Sequence, residues 1–403
     1  MRGLSQGKKF GTLVGNSFKF VSFTNEGRIM SKVIMIGCDL HQRSMLLQYC
    51  VDGGKPQVAS FVNDRGGRFK MLSLLENLAR KHGATRTVFV YEASSLGYGL
   101  CDELNDAGIE CHVLSPTHLP KSAKQAKQKT DAKDALMLLE LVRGHVLAGN
   151  SLPVVWTPPQ RLRDDRELVR ARVDLSDETS RVKLQITSML KRRGVVMPEW
   201  YTTWTKRFMG WLRDTAKALD EVVSPVLESL IERYELCRKQ QARLDKALKK
   251  LSRAQRYKQA AEELRKLPGV GLLTAMTFLT EMGDLTRFHN RREVTAYLGL
   301  CPSSHESGET NDRKGHITRQ GPSRVRKLLC QAAWVAINRC PETSKVYHRI
   351  RANKKNRTKK SLVAIMRLLA IKMWHRAQAH ESPHELKGRG GPHALELARG
   401  QAA

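Results

Sequence analysis

Short apolar segments alternate with helical patterns over the first third of the chain, and this alternation constrains the fold more than any other feature. Gly83 and Gly108 end the two helical patterns, as glycine often does at a helix C-terminus. Strands that alternate with helices of this length are typical of an α/β domain with a partly parallel sheet. The predicted strands are two within 33–51, one at 56–62, one at 87–93 and one at 109–114, and the predicted helices are 68–83 and 96–108.

The sequence changes character after Pro158, where long, charged and periodic segments begin. Residues 160–193 and 216–251 predict an antiparallel helical hairpin or a coiled-coil arm, with an ordinary bundle as the alternative. The motif LPGVG (267–271) predicts a tight turn between helices, whose backbone N–H groups could contact phosphate. Further helical segments are predicted within 263–300, 323–339, 342–352 and 359–378, and a polar loop at 301–322.

These patterns divide the chain into five parts. They are an extension 1–30, an α/β domain 31–155, a helical coiled-coil region 156–255, a mostly α domain 256–380 with the LPGVG turn and a serine loop, and a tail 381–403. The extension lacks the apolar core of a signal peptide and is interpreted as disordered or as a mis-set start. The tail is expected to be disordered.

The charge of the chain indicates its partners. Lys and Arg outnumber Asp and Glu by 70 to 39, a formal net charge of +31, which favours a polyanion because each neutralised phosphate releases counterions. An anionic membrane is the competing partner, but no apolar run is long enough to span a bilayer and no lipidation signal occurs. The eight cysteines show no C-x-x-C spacing, so we expect reduced cytosolic thiols and no zinc site.

Four acidic residues stand where a metal site could form. Asp39 and Glu92 each end a predicted strand, and Asp131 and Asp134 lie one helical turn apart on one face. Ligands of open α/β sheets gather beyond the carboxyl ends of strands, where these oxygens would suit Mg²⁺. Two such ions about 4 Å apart can clamp a phosphodiester. The plainer alternatives are a helix N-cap for Asp131, a first-turn acid for Asp134, and exposed loop acids for the other two.

Two basic segments have open interpretations. The lysines around the acidic pair either guide a nucleic-acid backbone to the acids or form a solvated face. The segment RANKKNRTKK (351–360) either grips RNA or DNA or is a charged linker between helices. The lysines around the acidic pair are Lys121, Lys124, Lys127, Lys129 and Lys133.

Residues 298–329 combine glycines, cations and a serine. The hydroxyl of Ser307 could act as a nucleophile if a base or an electropositive pocket activates it. Judged on these residues alone, a polar surface loop in which Ser307 only makes turn hydrogen bonds is favoured over that role. The cations of this segment that could contact nucleic acid are Arg313, Lys314, Arg319 and Arg324.

Six motifs in order resemble the transposases of the insertion-sequence-110 (IS110) family. The motifs are IGCDLH (36–41), VYEASS (90–95), KTDAKDA (129–135), LPGVG (267–271), YLGLCPSSHESGE (297–309) and GHITRQG (315–321). The similarity runs from about Ser31 to about Gln378. The sequence departs from many relatives at Ser94, where they have Thr-Gly.

The resemblance implies an α/β RNase H-like (RuvC-like) N-terminal domain, then a helical coiled-coil region and a mostly α C-terminal transposase domain. The four acids that name the DEDD family fall on Asp39, Glu92, Asp131 and Asp134, which would bind Mg²⁺ or Mn²⁺. The catalytic serine of the family falls on Ser307, which by this resemblance would attack DNA to form a phosphoserine link and a free 3′-hydroxyl. In the family, the serine of one subunit joins the acids of another in a tetramer, and a bridge RNA guides some members.

The expected function is therefore that of a site-specific DNA transposase of an insertion sequence. It would act on donor and target DNA as a dimer to tetramer, with a structured guide RNA, in the bacterial cytoplasm at the nucleoid. One alternative is a purely metal-dependent nuclease of the Holliday-junction type, in which Ser307 is incidental. Another is a basic nucleic-acid-binding scaffold without catalysis.

Overall fold

The structure is a computed structural model that describes residues 32–119, 130–200, 204–307, 310–380 and Gly388. Over residues 304–307 and 310–314 it describes the backbone and not the side chains. The predicted extension, the tail apart from Gly388, and the four lysines at positions 121, 124, 127 and 129 lie outside the described residues.

The N-terminal part is a five-stranded sheet with helices on both faces. Its elements are β1 (Lys32–Leu40), β2 (Ser44–Val51), β3 (Gln57–Val62), α1 (Arg65–His82), β4 (Ala84–Glu92), α2 (Gly99–Asp106), β5 (Glu110–Leu114) and α3 (Asp131–Ala148). The strand order is β3-β2-β1-β4-β5, with β1, β4 and β5 parallel and β2 antiparallel to both of its neighbours. This mixed sheet confirms the predicted α/β domain.

Strand β1 is apolar on both faces because each face packs against helices. Ile34 and Ile36 belong to the core that contains α1 and α2, whereas Met35 belongs to the core that contains α3. The alternation of side chains along a strand therefore places Gly37 and Asp39 on the α3 face.

Helix α3 lies directly against the backbone of β1 at Gly37. A Cβ atom at this position would lie 2.3 Å from the backbone nitrogen of Leu139 and 2.4 Å from the carbonyl oxygen of Ala135. A side chain of any size would therefore push helix and strand apart. The missing Cβ lets the first turn of α3 lie next to the carboxyl end of β1.

The middle of the chain is an antiparallel helical hairpin. It consists of α4 (Gln160–Arg192), α5 (Lys206–Ala218) and α6 (Ser224–Ser252). Asp165 of α4 pairs with Arg256 just after α6, whereas Lys183 near the other end of α4 lies over the ring of Tyr234. These contacts fix the antiparallel direction.

The predicted helix at 216–251 is wrong at its start. Helix α5 ends at Ala218, and the side chain of Asp220 accepts a hydrogen bond from the backbone N–H of Val222 in the turn that follows. Helix α6 begins at Ser224, with Pro225 in its first turn. Proline fits there because a backbone N–H in the first turn would have no acceptor within the helix.

The C-terminal part is mostly helical and shares one large core with α4 and α6. Its elements are α7 (Lys258–Arg265), α8 (Leu272–Met282), α9 (Arg291–Tyr297), β6 (Pro302–Ser307), β7 (Thr310–Ile317), α10 (Ser323–Arg339), α11 (Pro341–Arg351) and α12 (Thr358–Gln378). The LPGVG motif forms the turn between α7 and α8, and Gly269 there has a φ of 81°. None of the helices in the described parts of the chain is long and apolar enough to cross a membrane.

The predicted polar loop at 301–322 is also wrong, because most of it forms a two-stranded antiparallel hairpin of β6 and β7. Its strands, PSSHES and TNDRKGHI, carry polar residues on both faces. They therefore lack the alternation of apolar and polar residues by which strands are recognised.

Helix α4 connects the sheet domain to the helical part. Arg163 pairs with Asp102 of α2, and Arg170 makes a two-pronged contact of 2.7 and 2.9 Å with Glu281 of α8. Arg324 at the start of α10 makes a similar pair with Asp174. These pairs tie three regions of the chain to one helix.

The contact at Gly37 predicts a stability effect. Gly37→Ala would place a methyl group against the backbone of α3, and we expect it to lower the free energy of unfolding by about 1–3 kcal/mol. Gly210→Ala is the matched control, because open space surrounds that position in α5 and alanine favours a helix by about 0.5–1 kcal/mol. Denaturant unfolding measures both, and equal stabilisation by the two variants would contradict the close approach.

Candidate metal centre

Two strands deliver acidic residues to one edge of the sheet. The parallel register of β1 and β4 pairs Cys38 with Tyr91, so Asp39 and Glu92 both follow by one residue. Cys38 and Tyr91 belong to the core on the α1 and α2 side. The two acids therefore face the opposite side of the sheet, which α3 covers.

The first turn of α3 adds two further acids. Thr130 is the N-cap of this helix, and its side chain accepts a hydrogen bond of 3.4 Å from the backbone N–H of Lys133. The interpretation of Asp131 as the N-cap is therefore wrong, since it is the first residue inside the helix. Asp131 and Asp134 lie directly before the residues of α3, from Ala135 to Leu139, that contact β1 at Gly37.

His41 joins the acids of the two elements. Its Nε2 atom lies 3.2 Å from Oδ2 of Asp39 and 3.5 Å from Oδ1 of Asp131. One ligand atom from each of these three residues lies within 4.8 Å of the others. The sequence interpretation missed His41, although its position two residues after Asp39 was the available signal.

The loop that carries His41 is held by backbone contacts. The N–H of His41 donates to the carbonyl of Ser44 at 2.9 Å. The side chain of Asn63, just after β3, donates to the carbonyl of His41 at 2.8 Å. The backbone of His41 is therefore held in place by its neighbours in the sheet.

The electrostatics of the cluster favour a bound cation. Burial raises the pKa of Asp39, and the nearby carboxylates of Asp131 and Asp134 raise it further, while the adjacent His41 opposes them. Negative charge thus accumulates in a partly buried place within a strongly basic protein. A divalent cation would relieve this repulsion, and carboxylate oxygens are the donors that Mg²⁺ and Mn²⁺ prefer.

The four predicted acids are not equivalent in the structure. Asp39 and Asp131 share the three-residue cluster, and Asp134 is close enough to act on the pKa of Asp39. Glu92 ends the neighbouring strand on the same face but is not a member of that cluster. The donor set fits a metal ion, and the roles of Glu92 and Asp134 in it stay predictions.

The predicted serine site lies on the β6–β7 hairpin. Ser307 is the last residue of β6, and its backbone pairs with that of Thr310. The backbones of Arg313 and Lys314 pair with the strand that leads to the serine, opposite His305 and Ser304. The structure describes the backbone of these residues and not their side chains, so the catalytic role of Ser307 and the binding roles of Arg313 and Lys314 stay predictions.

The other two predicted cations of this region differ from each other. Arg319 is exposed, has a φ of 57°, and donates its backbone N–H to the carbonyl of Gly299 at 3.2 Å. Arg324 is held by Asp174 at 2.7 and 2.9 Å, and this pair lowers the pKa of Asp174. A phosphate would have to compete with Asp174 for Arg324, whereas Arg319 has an open approach.

Comparisons with known proteins agree on one family. A family model described as "Transposase IS116/IS110/IS902 family" matches residues 261–349, and a second, the DEDD type of IS110 described as "Transposase", matches residues 36–193. The chain belongs to the IS110 family of transposases. Family membership identifies it as an enzyme of DNA transposition, and the two matches include the acidic cluster and the serine hairpin.

Individual relatives carry the same description. The chain is similar to the putative transposase y4qE of Sinorhizobium fredii, with 33% identity over 61% of this chain and 57% of that protein. It is 22% identical to the transposase for insertion sequence element IS1533 of Leptospira borgpetersenii, over 76% of this chain and 86% of the relative. A further Sinorhizobium fredii protein, putative transposase y4rJ, is 25% identical over 86% and 92%.

The raised pKa of Asp39 predicts that its ionised carboxylate destabilises the folded protein when no metal is bound. In the folded protein this carboxylate ionises at a higher pH than its ordinary value of about 3.9, so stability falls as pH rises from there through the folded pKa. Asp39→Asn carries no charge, so in the presence of a chelator we expect it to melt at a higher temperature than the unchanged protein at pH 7. The difference should vanish at acid pH.

Added metal should reverse this order. Mg²⁺ or Mn²⁺ at about 100 times its dissociation constant would stabilise the unchanged protein by about 2.7 kcal/mol and leave Asp39→Asn unaffected. Glu76→Gln removes an exposed acid of α1, on the other face of the sheet, and is the matched control. Equal stabilisation of Asp39→Asn by the metal would place the site elsewhere.

Proposed function

We propose that this protein cuts and rejoins DNA at specific sites, with Ser307 as the nucleophile and a divalent cation held by Asp39, Glu92, Asp131 and Asp134. The observation that carries the proposal is the meeting of Asp39 and Asp131 across the junction of β1 and α3. Acids gathered at one point of a chain with a net charge of +31 favour a bound cation and a phosphate ligand together.

The acids would hold Mg²⁺ or Mn²⁺ at the carboxyl edge of the sheet. When bound, the ion supplies positive charge that stabilises the phosphoryl group in transfer. Glu92 and Asp134 would complete the oxygen donors that Asp39 and Asp131 begin. Because Mg²⁺ prefers oxygen to nitrogen, we assign His41 to orienting the two aspartates through its ring nitrogen.

Ser307 would perform the covalent step. Its Oγ atom forms a bond to the phosphorus of the DNA backbone as the bond from phosphorus to the 3′ oxygen breaks, and the serine proton ends on that oxygen. The products are a phosphoserine link and a free 3′-hydroxyl, and attack by a 3′-hydroxyl from the other duplex reverses the step. The cations Arg313 and Lys314, whose backbones pair with the serine strand, support this role because they can neutralise the phosphate.

The assembly follows from the same proposal. We infer a RuvC-like sheet domain in which the acids of one subunit act with Ser307 of another, in a dimer to tetramer joined through the α4–α6 hairpin. Donor and target DNA would be the substrates, with a structured guide RNA, in the bacterial cytoplasm at the nucleoid. The mixed sheet, the long helical hairpin and the basic charge support this arrangement.

A metal-dependent nuclease without a serine intermediate is the second candidate. The cluster of Asp39, His41 and Asp131 favours it, since acids that gather at a sheet edge could act on a phosphodiester with water as the nucleophile. The two candidates differ in whether protein becomes linked to DNA.

Ser307→Ala separates these candidates. We expect it to abolish the protein–DNA adduct and to reduce strand cleavage of supercoiled donor DNA by at least about 10³-fold, because alanine has no hydroxyl to form the phosphoserine bond. Denaturing electrophoresis measures the adduct, and peptide mass analysis locates it. Ser303→Ala, four residues earlier on the same strand, should keep both activities. Cleavage that survives Ser307→Ala and fails in the double variant Asp131→Ala with Asp134→Ala would support the nuclease instead.

A further inference from the structure

The turn between α11 and α12 concentrates positive charge without any acidic neighbour in sequence. No Asp or Glu occurs between Glu342 and Glu381. We name this surface the basic turn and define it by seven cations, six of them exposed. They are Arg349, Arg351, Lys354, Lys355, Arg357, Lys359 and Lys360, of which Arg351 is half-buried.

The cations of the basic turn make no salt bridge within the described parts of the chain. Other cations of the same domain behave differently: Arg324 pairs with Asp174 and Lys327 pairs with Asp177. The Nε atom of Arg351 is buried and has no hydrogen-bond partner among the described residues. The fold therefore uses acids to neutralise the cations that hold helices together and leaves the basic turn without them.

The backbone of the basic turn is ordered by its own hydrogen bonds. Ala352 and Asn353 adopt left-handed conformations, with φ of 48° and 56°, and reverse the chain. The N–H groups of Ala352, Lys354 and Arg357 donate to carbonyls three or four residues earlier, at 2.9 to 3.0 Å. A charged linker in solvent would not require these backbone hydrogen bonds. The ordered turn therefore favours a defined binding surface over the interpretation as a linker.

The position of the cations is unfavourable in the protein alone. Four of them flank Thr358, the first residue of α12, where the helix dipole is positive, and no acidic residue lies in its first turn. Like charges gathered at this end repel one another and the dipole. A phosphate group would relieve both effects, because it brings negative charge to the N–H groups and to the side chains.

We propose that the basic turn binds the phosphodiester backbone of a nucleic acid. The inference rests on the proposed function, since it assumes a protein that handles nucleic acid, and it adds a contact surface separate from the acids and from the serine hairpin. The chemistry that recognises the ligand is the row of phosphates, which both DNA and RNA supply.

The test is a set of charge-removing variants. Lys355, Lys359 and Lys360 are changed together to Gln, and binding to a mixed-sequence DNA duplex and to a hairpin RNA of matched length is measured over a range of salt concentrations. We expect the affinity to fall by at least about ten-fold. The slope of log K against log salt concentration should become less steep by about two to three, because each phosphate contact contributes about 0.9 to this slope in duplex DNA.

The control set removes the same charge elsewhere. Lys246, Lys249 and Lys250 are exposed at the C-terminal end of α6 and are changed together to Gln. This set should keep the affinity and the salt dependence of the unchanged protein. Replacing Lys355, Lys359 and Lys360 by Arg should also keep them, because the charge remains.

Melting temperature provides an independent readout. The Gln variant of the basic turn should melt no lower than the unchanged protein, because cations at a helix N-terminus destabilise it, whereas the control set removes favourable cations from a C-terminus. Loss of affinity for DNA alone, or for RNA alone, would identify the bound nucleic acid. Affinity and salt dependence equal to those of the control set, for both probes, would overturn the proposal and leave a protein partner for this surface.

The experiment is separate from the test of catalysis. Binding is measured without divalent metal, so failure of the metal site or of Ser307 would not change it. A basic turn that binds nucleic acid in a protein with no adduct would refute the serine step and not this inference.

Discussion

The contact of α3 with β1 at Gly37 determines where the acids meet. A Cβ atom at Gly37 would lie 2.3 Å from the backbone nitrogen of Leu139, so a residue with a side chain could not occupy this position unless helix and strand moved apart. The first turn of α3 is thereby brought to the carboxyl end of β1. Asp131 can then share one imidazole with Asp39, although the two aspartates are far apart in sequence. The candidate metal centre is thus a consequence of how one helix lies on one strand.

The distribution of charge separates folding from function. Ion pairs such as Arg170 with Glu281, and the buried contact of Arg256 with Asp165, hold the long helix α4 to its neighbours. Two groups are left in electrostatically unfavourable places. The first is Asp39, whose pKa is raised by burial and by the nearby Asp131 and Asp134, and the second is the set of cations of the basic turn at the start of α12. Each group would be relieved by a ligand of opposite charge, the first by a divalent cation and the second by phosphates. Unfavourable charge of this kind is common at functional sites because it is resolved by binding.

Much of the fold follows from periodicity, and the failures have physical causes. Apolar runs identified β1 and β4, and helical spacing gave α10 with the bounds that the structure has. The strands β6 and β7 were not predicted because they are polar on both faces. Helix α5 was not predicted either, although Phe208, Met209, Leu212 and Ala216 are buried at helical spacing. The acids at the strand ends could be predicted because parallel strands share an edge. The position of His41 two residues after Asp39 was a signal for its place in the cluster. Its approach to Asp131 could not be predicted, because it depends on how α3 lies beside β1.

The central claim is that acids from β1, β4 and α3 bind divalent metal at one edge of the sheet. A crystal of the protein soaked in Mn²⁺, with anomalous difference maps recorded at a wavelength where manganese scatters strongly, tests this most directly. The account predicts a peak in contact with carboxylate oxygens of Asp39 and Asp131, with Glu92 and Asp134 completing its coordination or that of a second ion about 4 Å away. Maps without a peak at this edge, from crystals in which manganese is bound elsewhere, would contradict it.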